Sequence, residues 1–152
     1  MIPNKIVIHH SASSKETTME QINDWHKARF NFPSSFGSYV GYHYVIENSG
    51  KIYQCRRDNE LGAHSVPNDG KIGVCLVGNF MKEMPSEEQI KSLEKVVNEL
   101  KKVYNISEVL GHRDYNPTEC PGDNLYKIIL QWRVSWLQKL IQEILKRLKS
   151  HA

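Results

Sequence analysis

Cysteine is scarce in this chain of 152 residues. Cys55, Cys75 and Cys120 form an odd set without paired spacing, which argues against a disulfide framework and leaves reduced thiols or metal ligation. No run of about 18 apolar residues occurs, so no segment has the make-up of an ordinary membrane-spanning helix. The first residues, Met1-Ile2-Pro3-Asn4-Lys5, lack a basic start followed by a long apolar run, and no secretory signal is expected. Internal repeats and low-complexity tracts are missing too. Residues 1–126 hold 14 Lys/Arg against 16 Asp/Glu and offer no basic face interleaved with aromatics, which argues against a nucleic-acid partner. The net charge of +3 comes from the end of the chain, where residues 127–152 hold 6 Lys/Arg against 1 acidic residue. One compact domain, synthesised in a reducing cytoplasm, is the expectation at this length.

What is there is an alternation of strand-like and helix-like segments. Residues 5–9 read as a central strand, because Ile6, Val7 and Ile8 are consecutively apolar as in a strand covered on both faces. Thr18 with Gln21 three residues later is a capping-box signature for a helix on which Met19, Ile22, Trp25 and Arg29 share a side. Residues 31–38, rich in Pro, Ser and Gly, form a surface loop that is too short to lie between separate cores. Residues 40–47 and 51–56 flank Asn48-Ser49-Gly50 as a β-hairpin. A period of two then places Tyr42, Tyr44 and Ile46 on one face and His43 and Val45 on the other, so Tyr42 and His43 share a site only if the strand is broken there. Residues 71–78 form another strand, and Ser86 with Gln89 opens a second helix whose Ile90, Leu93, Val97, Leu100 and Tyr104 line up as a core stripe. A strand over 106–110 follows. The order predicts an α/β domain with a mixed central β-sheet flanked by helices.

From about residue 124 to 149 the pattern becomes one amphipathic helix, ~39 Å long at ~1.5 Å per residue. Ile128, Ile129, Trp132, Trp136, Leu140, Ile141, Ile144, Leu145 and Leu148 recur in it at helical spacing. The expected organisation is a folded unit over 1–126 and a basic helix over 127–152 that is not a domain of its own.

Chemistry concentrates in Gly111-His112-Arg113-Asp114-Tyr115-Asn116-Pro117-Thr118-Glu119-Cys120-Pro121-Gly122. His112 leaves the end of a strand, and Cys120 sits eight residues on in a loop that Pro121 and Gly122 close. Imidazole and thiolate are preferred donors of zinc, and a third donor is offered by His9 at the end of the first strand. Its neighbour His10 competes for that role, since adjacent strand residues face opposite sides and only one can reach the metal. Three protein donors with one position open is the arrangement of a catalytic zinc, whereas a structural zinc closes its shell with four. His43 is expected to be a hydrogen-bonded core histidine, Cys55 and Cys75 small core residues, and His26 either a groove or a surface histidine.

These segments resemble, in the same order, those of the zinc-dependent N-acetylmuramoyl-L-alanine amidases, a family that includes phage amidases called lysozymes and the animal peptidoglycan recognition proteins. Ile-Val-Ile-His-His-Ser (6–11) matches the segment of their first zinc histidine, on His9, and Val-Gly-Tyr-His-Tyr (40–44) that of their catalytic tyrosine, on Tyr42. Gly-Ala-His-Ser (62–65), Ile-Gly-Val-Cys-Leu-Val-Gly-Asn (72–79) and residues 111–122 correspond as well, so the likeness covers roughly 4–126. The resemblance implies their fold, zinc held by His9, His112 and Cys120, and peptidoglycan as the partner. It also implies hydrolysis of the amide between N-acetylmuramic acid and L-alanine by a zinc-activated water. Tyr42 would hydrogen-bond the water or the developing oxyanion, and His64 would contact the substrate or that water. Thr118 stands where some phage relatives have a lysine; its hydroxyl donates a hydrogen bond but adds no charge.

Other readings stay open at this point. A non-catalytic peptidoglycan-binding module of the same fold is one, although such relatives lack the cysteine. A cysteine hydrolase using Cys120 with His112 is another, but Pro121 removes an amide that would serve as an oxyanion donor. The terminal helix either docks on the body or on another copy of itself, or it lies on anionic membrane or envelope through Lys127, Arg133, Lys139, Lys146, Arg147 and Lys149 with Trp132 and Trp136. Without a signal, a cell-wall hydrolase of this kind is expected to be a phage or prophage endolysin that is released from the cytoplasm and then lyses the wall.

Overall fold

The computed structural model describes residues 1–150. Its sheet has five strands, β1 (Lys5–His10), β2 (Tyr44–Ile46), β3 (Ile52–Gln54), β4 (Lys71–Leu76) and β5 (Glu108–Gly111), in the spatial order β3-β2-β4-β1-β5. β1 runs parallel to β4 and β5, β2 runs parallel to β4, and the β2–β3 hairpin is antiparallel. Helix α1 (Met19–Phe30) follows β1, and α2 (Glu87–Val103) follows β4. A 3-10 turn (His112–Asp114) extends β5, and α3 (Asp123–Ser150) follows it. This is the mixed α/β architecture the sequence predicts.

Both capping boxes form. The Thr18 hydroxyl accepts from the Gln21 amide at 3.3 Å while the Gln21 side chain accepts from the Thr18 amide at 2.9 Å. Ser86 and Gln89 repeat the exchange at the start of α2, and the buried Gln89 also donates to the Val77 carbonyl at 2.8 Å, which ties that helix to the end of β4.

Alternation along the strands sorts the side chains into two layers. Ile6, Ile8, Ile46, Ile72, Val74 and Leu76 pack with Leu93 and Val97 of α2 and Leu125 and Ile129 of α3. On the opposite face a smaller cluster joins Ile22 of α1 to Val40, Val45, Cys55, Cys75 and Val77. The same alternation sends His9 to the α1 side and His10 to the other, where its ring lies 6.1 Å from that of Phe80.

The hairpin differs from its prediction. β2 begins only at Tyr44, and Tyr42 packs with Val40 and Val45 rather than with Tyr44 and Ile46. The cause lies at Gly41, whose amide donates to His26 Nδ1 at 2.9 Å and whose carbonyl accepts from the Ala63 amide at 2.9 Å. A Cβ there would meet the Ala63 carbonyl oxygen at 2.5 Å, so the close approach requires glycine and the chain leaves the pleat before Tyr44.

The predicted apolar series of α3 also divides. Leu125 and Ile129 are fully buried and Trp132 and Trp136 pack on the core, whereas residues 137–149 are exposed all round. Among the described residues no helix is long and apolar enough to cross a membrane.

Candidate metal centre

The site lies at the carboxyl ends of β1 and β5, next to the break before β2, which is where parallel sheets present their ligand crevices. β1 delivers His9, the turn after β5 delivers His112, and the loop after that turn delivers Cys120. One donor atom from each lies within 4.8 Å of the other two. His9 Nδ1 is 3.6 Å from Cys120 Sγ. Tetrahedral zinc, with Zn–N of about 2.0–2.1 Å and Zn–S of about 2.3 Å, sets its nitrogen and sulfur donors about 3.6 Å apart, so the donor set fits that ion in kind and in spacing.

The second nitrogen of each imidazole is occupied. His112 Nε2 donates to Asn116 Oδ1 at 2.9 Å, and Asn116 is oriented by exchanging hydrogen bonds with both backbone groups of Val66 at 3.1 Å. His9 Nε2 is 3.1 Å from His64 Nδ1. Both arrangements leave Nδ1 as the available donor, the outer-sphere pattern that fixes tautomer and ring orientation at metal sites. Burial, with the neighbouring imidazoles adding to it, holds His9 well below the ordinary histidine range, and burial does the same to His64, so both rings are neutral. Burial pushes the Cys120 thiol up to about 11, a direction that a bound cation reverses.

Two clasps shape the cysteine loop. Arg113 donates its amide to the Cys120 carbonyl at 2.9 Å, and its guanidinium reaches the Glu119 carbonyl and Asp123. Asp114 accepts from the Gly111 amide at 2.9 Å and from the Tyr126 hydroxyl at 2.6 Å, which joins the ligand turn to α3. Gly122, at φ +86°, passes so close to Phe80 that a Cβ would stand 2.5 Å from its carbonyl carbon.

Around the three donors runs a groove of about 590 Å³. Tyr42 lines it with its ring 5.0 Å from that of His9, and burial keeps its phenol protonated and able to donate. His64 and Thr118 line it too, the Thr118 hydroxyl accepting from the Cys120 amide at 3.2 Å. Among the described residues Arg29 is the one permanently charged side chain on its wall, and no carboxylate faces it. His26 lines the groove and supports Gly41. His43 sits outside it, fully buried, accepting from the Gly73 amide at 3.0 Å and donating to the Glu60 carbonyl at 3.0 Å. His10 is apart from the donor group and accepts from the Phe80 amide at 3.2 Å.

Several residues that build the site escape a reading of the sequence. Asn116 is one, four positions after His112. Asn68, whose Oδ1 accepts from the His64 and Ser65 amides at 2.9 and 2.8 Å, is another. Gly62 and Gly73 make room for the His64 ring, since a Cβ on either would come within 2.6 Å of it. A glycine inside a strand as apolar as β4 is the available signal. Arg56 is 1% exposed and donates to the carbonyls of Phe32, Val40 and Leu61, so one cation ties both ends of the connection between α1 and β2 to the connection after β3, beside the groove.

Residues 1–123 match the family described as N-acetylmuramoyl-L-alanine amidase. The solved structure of the endolysin N-acetylmuramoyl-L-alanine amidase LysCS from Clostridium intestinale URNW is similar at TM-score 0.72 and 35% identity, over 80% of this chain and 76% of that one. Peptidoglycan-recognition protein SD of Drosophila simulans is 35% identical over 105 residues, 66% of this chain and 56% of that protein. The crystal structure of the Drosophila recognition protein SD has a TM-score of 0.74 at 27% identity, over 86% of this chain and 80% of that one. The chain thus spans little more than half the length of the recognition protein that its sequence matches.

Proposed function

The chain belongs to the N-acetylmuramoyl-L-alanine amidase family, and from that membership we propose that it hydrolyses the amide joining N-acetylmuramic acid to the L-alanine of the peptidoglycan stem, with zinc as cofactor. One observation carries the reading: His9, His112 and Cys120 bring three zinc-type donors within 4.8 Å at the base of a groove. Bound there, zinc supplies Lewis acidity toward the scissile carbonyl and makes water nucleophilic near neutral pH.

The chain's own residues do the rest. Asn116 and His64 hold the two imidazoles with Nδ1 inward. Tyr42 keeps its proton and donates a hydrogen bond where negative charge develops on the carbonyl oxygen, and Thr118 offers a second hydroxyl from the cysteine loop. Burial of His9 and His64 excludes bulk water from one side of the reacting centre. The likeness to an endolysin supports a cell-wall lytic role after release from the cytoplasm.

The likeness to recognition proteins favours a second reading, binding of peptidoglycan without cleavage. One digestion separates them: purified peptidoglycan is treated with the protein, with and without chelator, and the products are read by mass spectrometry. Intact stem peptides beginning with L-alanine, lost on chelation and restored by Zn²⁺, are the expected result. Wall binding with no bond opened establishes the recognition reading, new reducing ends mark a glycosidase, and activity indifferent to chelator returns Cys120 to the role of nucleophile.

A further inference from the structure

Helix α3 has two apolar faces, and the body uses one. Leu125, Ile129, Trp132 and Trp136 turn toward the core, while Leu130, Val134, Leu137, Ile141, Ile144 and Leu148 stay between 39% and 64% exposed. At ~100° per residue the second series lies roughly 130° round the helix from the first. Val134, Ile141 and Leu148 recur every seven residues, as do Leu130, Leu137 and Ile144, so the series occupies the a and d positions of consecutive heptads. We propose that this seam pairs with the same seam of a second copy of the chain, the two helices running parallel.

Four features single out that occupant. β-Branched Val134 and Ile141 at a with Leu130 and Leu137 at d is the pattern of a parallel two-stranded coil, and only Ile144 with Leu148 reverses it. The flanks match: in parallel register Leu140 faces Leu145 of the second helix, while Arg133 stays with the body through Asp114 at 3.7 Å. Lys139, Lys146 and Lys149 fall on b and f positions, away from the seam. Eight half-exposed apolar side chains, counting Leu140 and Leu145, offer ~30–60 Å² each, on the order of 700 Å² from two copies. At the ~65% apolar share of homodimer interfaces this is roughly 1,000 Å² in all, the floor of a stable association.

The geometry permits the pairing. The body lies against the flank of its helix that carries Leu125, Ile129, Trp132 and Trp136 and reaches the seam only near Leu137, which shares a groove with Val109 and Leu110, so the stretch from Ile141 to Leu148 stands clear of it. A lipid surface is a poorer occupant, because the side chains suited to the membrane interface, Trp132 and Trp136, are engaged by the body, where Lys101 Nζ lies 3.5 Å from the Trp136 ring centre. Two grooves held in one particle would engage a polymeric ligand together.

Light scattering on the full chain at tens of micromolar tests this. The expected mass is at least twice the 17.6 kDa of one copy. Leu137→Glu combined with Ile141→Glu should return it to 17.6 kDa with unchanged circular dichroism, and Lys139→Glu, on the solvent side, should leave the assembly intact. A wild-type chain at 17.6 kDa overturns the proposal, as does an assembly that survives the double substitution. A monomer that sediments with phosphatidylglycerol vesicles overturns it too and assigns the face to lipid.

Discussion

The two faces of the sheet are built from the same strands and do opposite work. Toward α2 and α3 the alternate residues of β1 and β4 are Ile6, Ile8, Ile72, Val74 and Leu76, all buried, with His10 at the end of β1 the one polar member. Toward α1 the intervening positions of the same strands include His9, Gly73 and Cys75, and the layer above them is an incomplete apolar cluster beside a groove. One face contributes stability, and the other keeps polar groups neutral, oriented and near one another. A pleat that separates neighbours lets a short domain do both without compromise at any single position.

The largest test of this division removes chemistry and spares the fold. Cys120→Ser should abolish zinc retention and lower stem-peptide release by at least ~10³-fold, several kcal/mol of transition-state stabilisation, with the unfolding midpoint of the metal-free protein nearly unchanged. Metal analysis and denaturant unfolding read the two halves, and a collapse of the fold would contradict the division. The converse is Leu93→Ala on the covered face, which should cost ~2–5 kcal/mol in urea unfolding while the folded fraction keeps its turnover. Asn116→Ala probes the boundary between the faces: it frees one nitrogen of His112 and should weaken zinc binding ~10–100-fold in a chelator competition, with little change in stability.

The smallest effect is a pH dependence. Burial lowers His26 to about 4 and lowers His43 as well, whereas an unfolded histidine titrates near 6.5. The unfolded state therefore binds the extra protons, so the stability present above pH ~6.5 is lost progressively as pH falls toward ~4. For His26, discounted for its partial exposure, this is about 1 kcal/mol by pH ~5.5. Unfolding of the metal-free chain across that range should show the slope, and His26→Gln should reduce it only by the share of His26, because burial lowers His9, His10, His43, His64 and His112 as well.

Much of the covered face is legible in the sequence, because it obeys periodicity. The capping boxes at Thr18 and Ser86, the α2 stripe and the mixed sheet all stand as the sequence predicts. The donor face is legible only in places. Period two says that only one of His9 and His10 can reach the metal, the family resemblance selects His9, and His112 and Cys120 are read from the turn around them. The same period puts Tyr42 on the wrong face, since the break before β2 comes from the approach of Gly41 to Ala63, a contact between segments over twenty residues apart. Asn116 escapes for a related reason: its role depends on meeting Val66. The α3 series reads as a single stripe because each step of four residues turns the face by only ~40°, so Trp132, Trp136, Leu140, Ile144 and Leu148 lead from one face to the other without a visible break.

Arg56 ties two connections beside the groove together. Its guanidinium meets three carbonyls and, among the described residues, pairs with no carboxylate, so Phe32, Val40 and Leu61 hang from one rigid planar fork. Lysine, a point charge on a supple stem, could not hold those three directions at once. Lengthening either of the two connections that these carbonyls belong to would drag the fork and tilt the other, so the two move as a single piece.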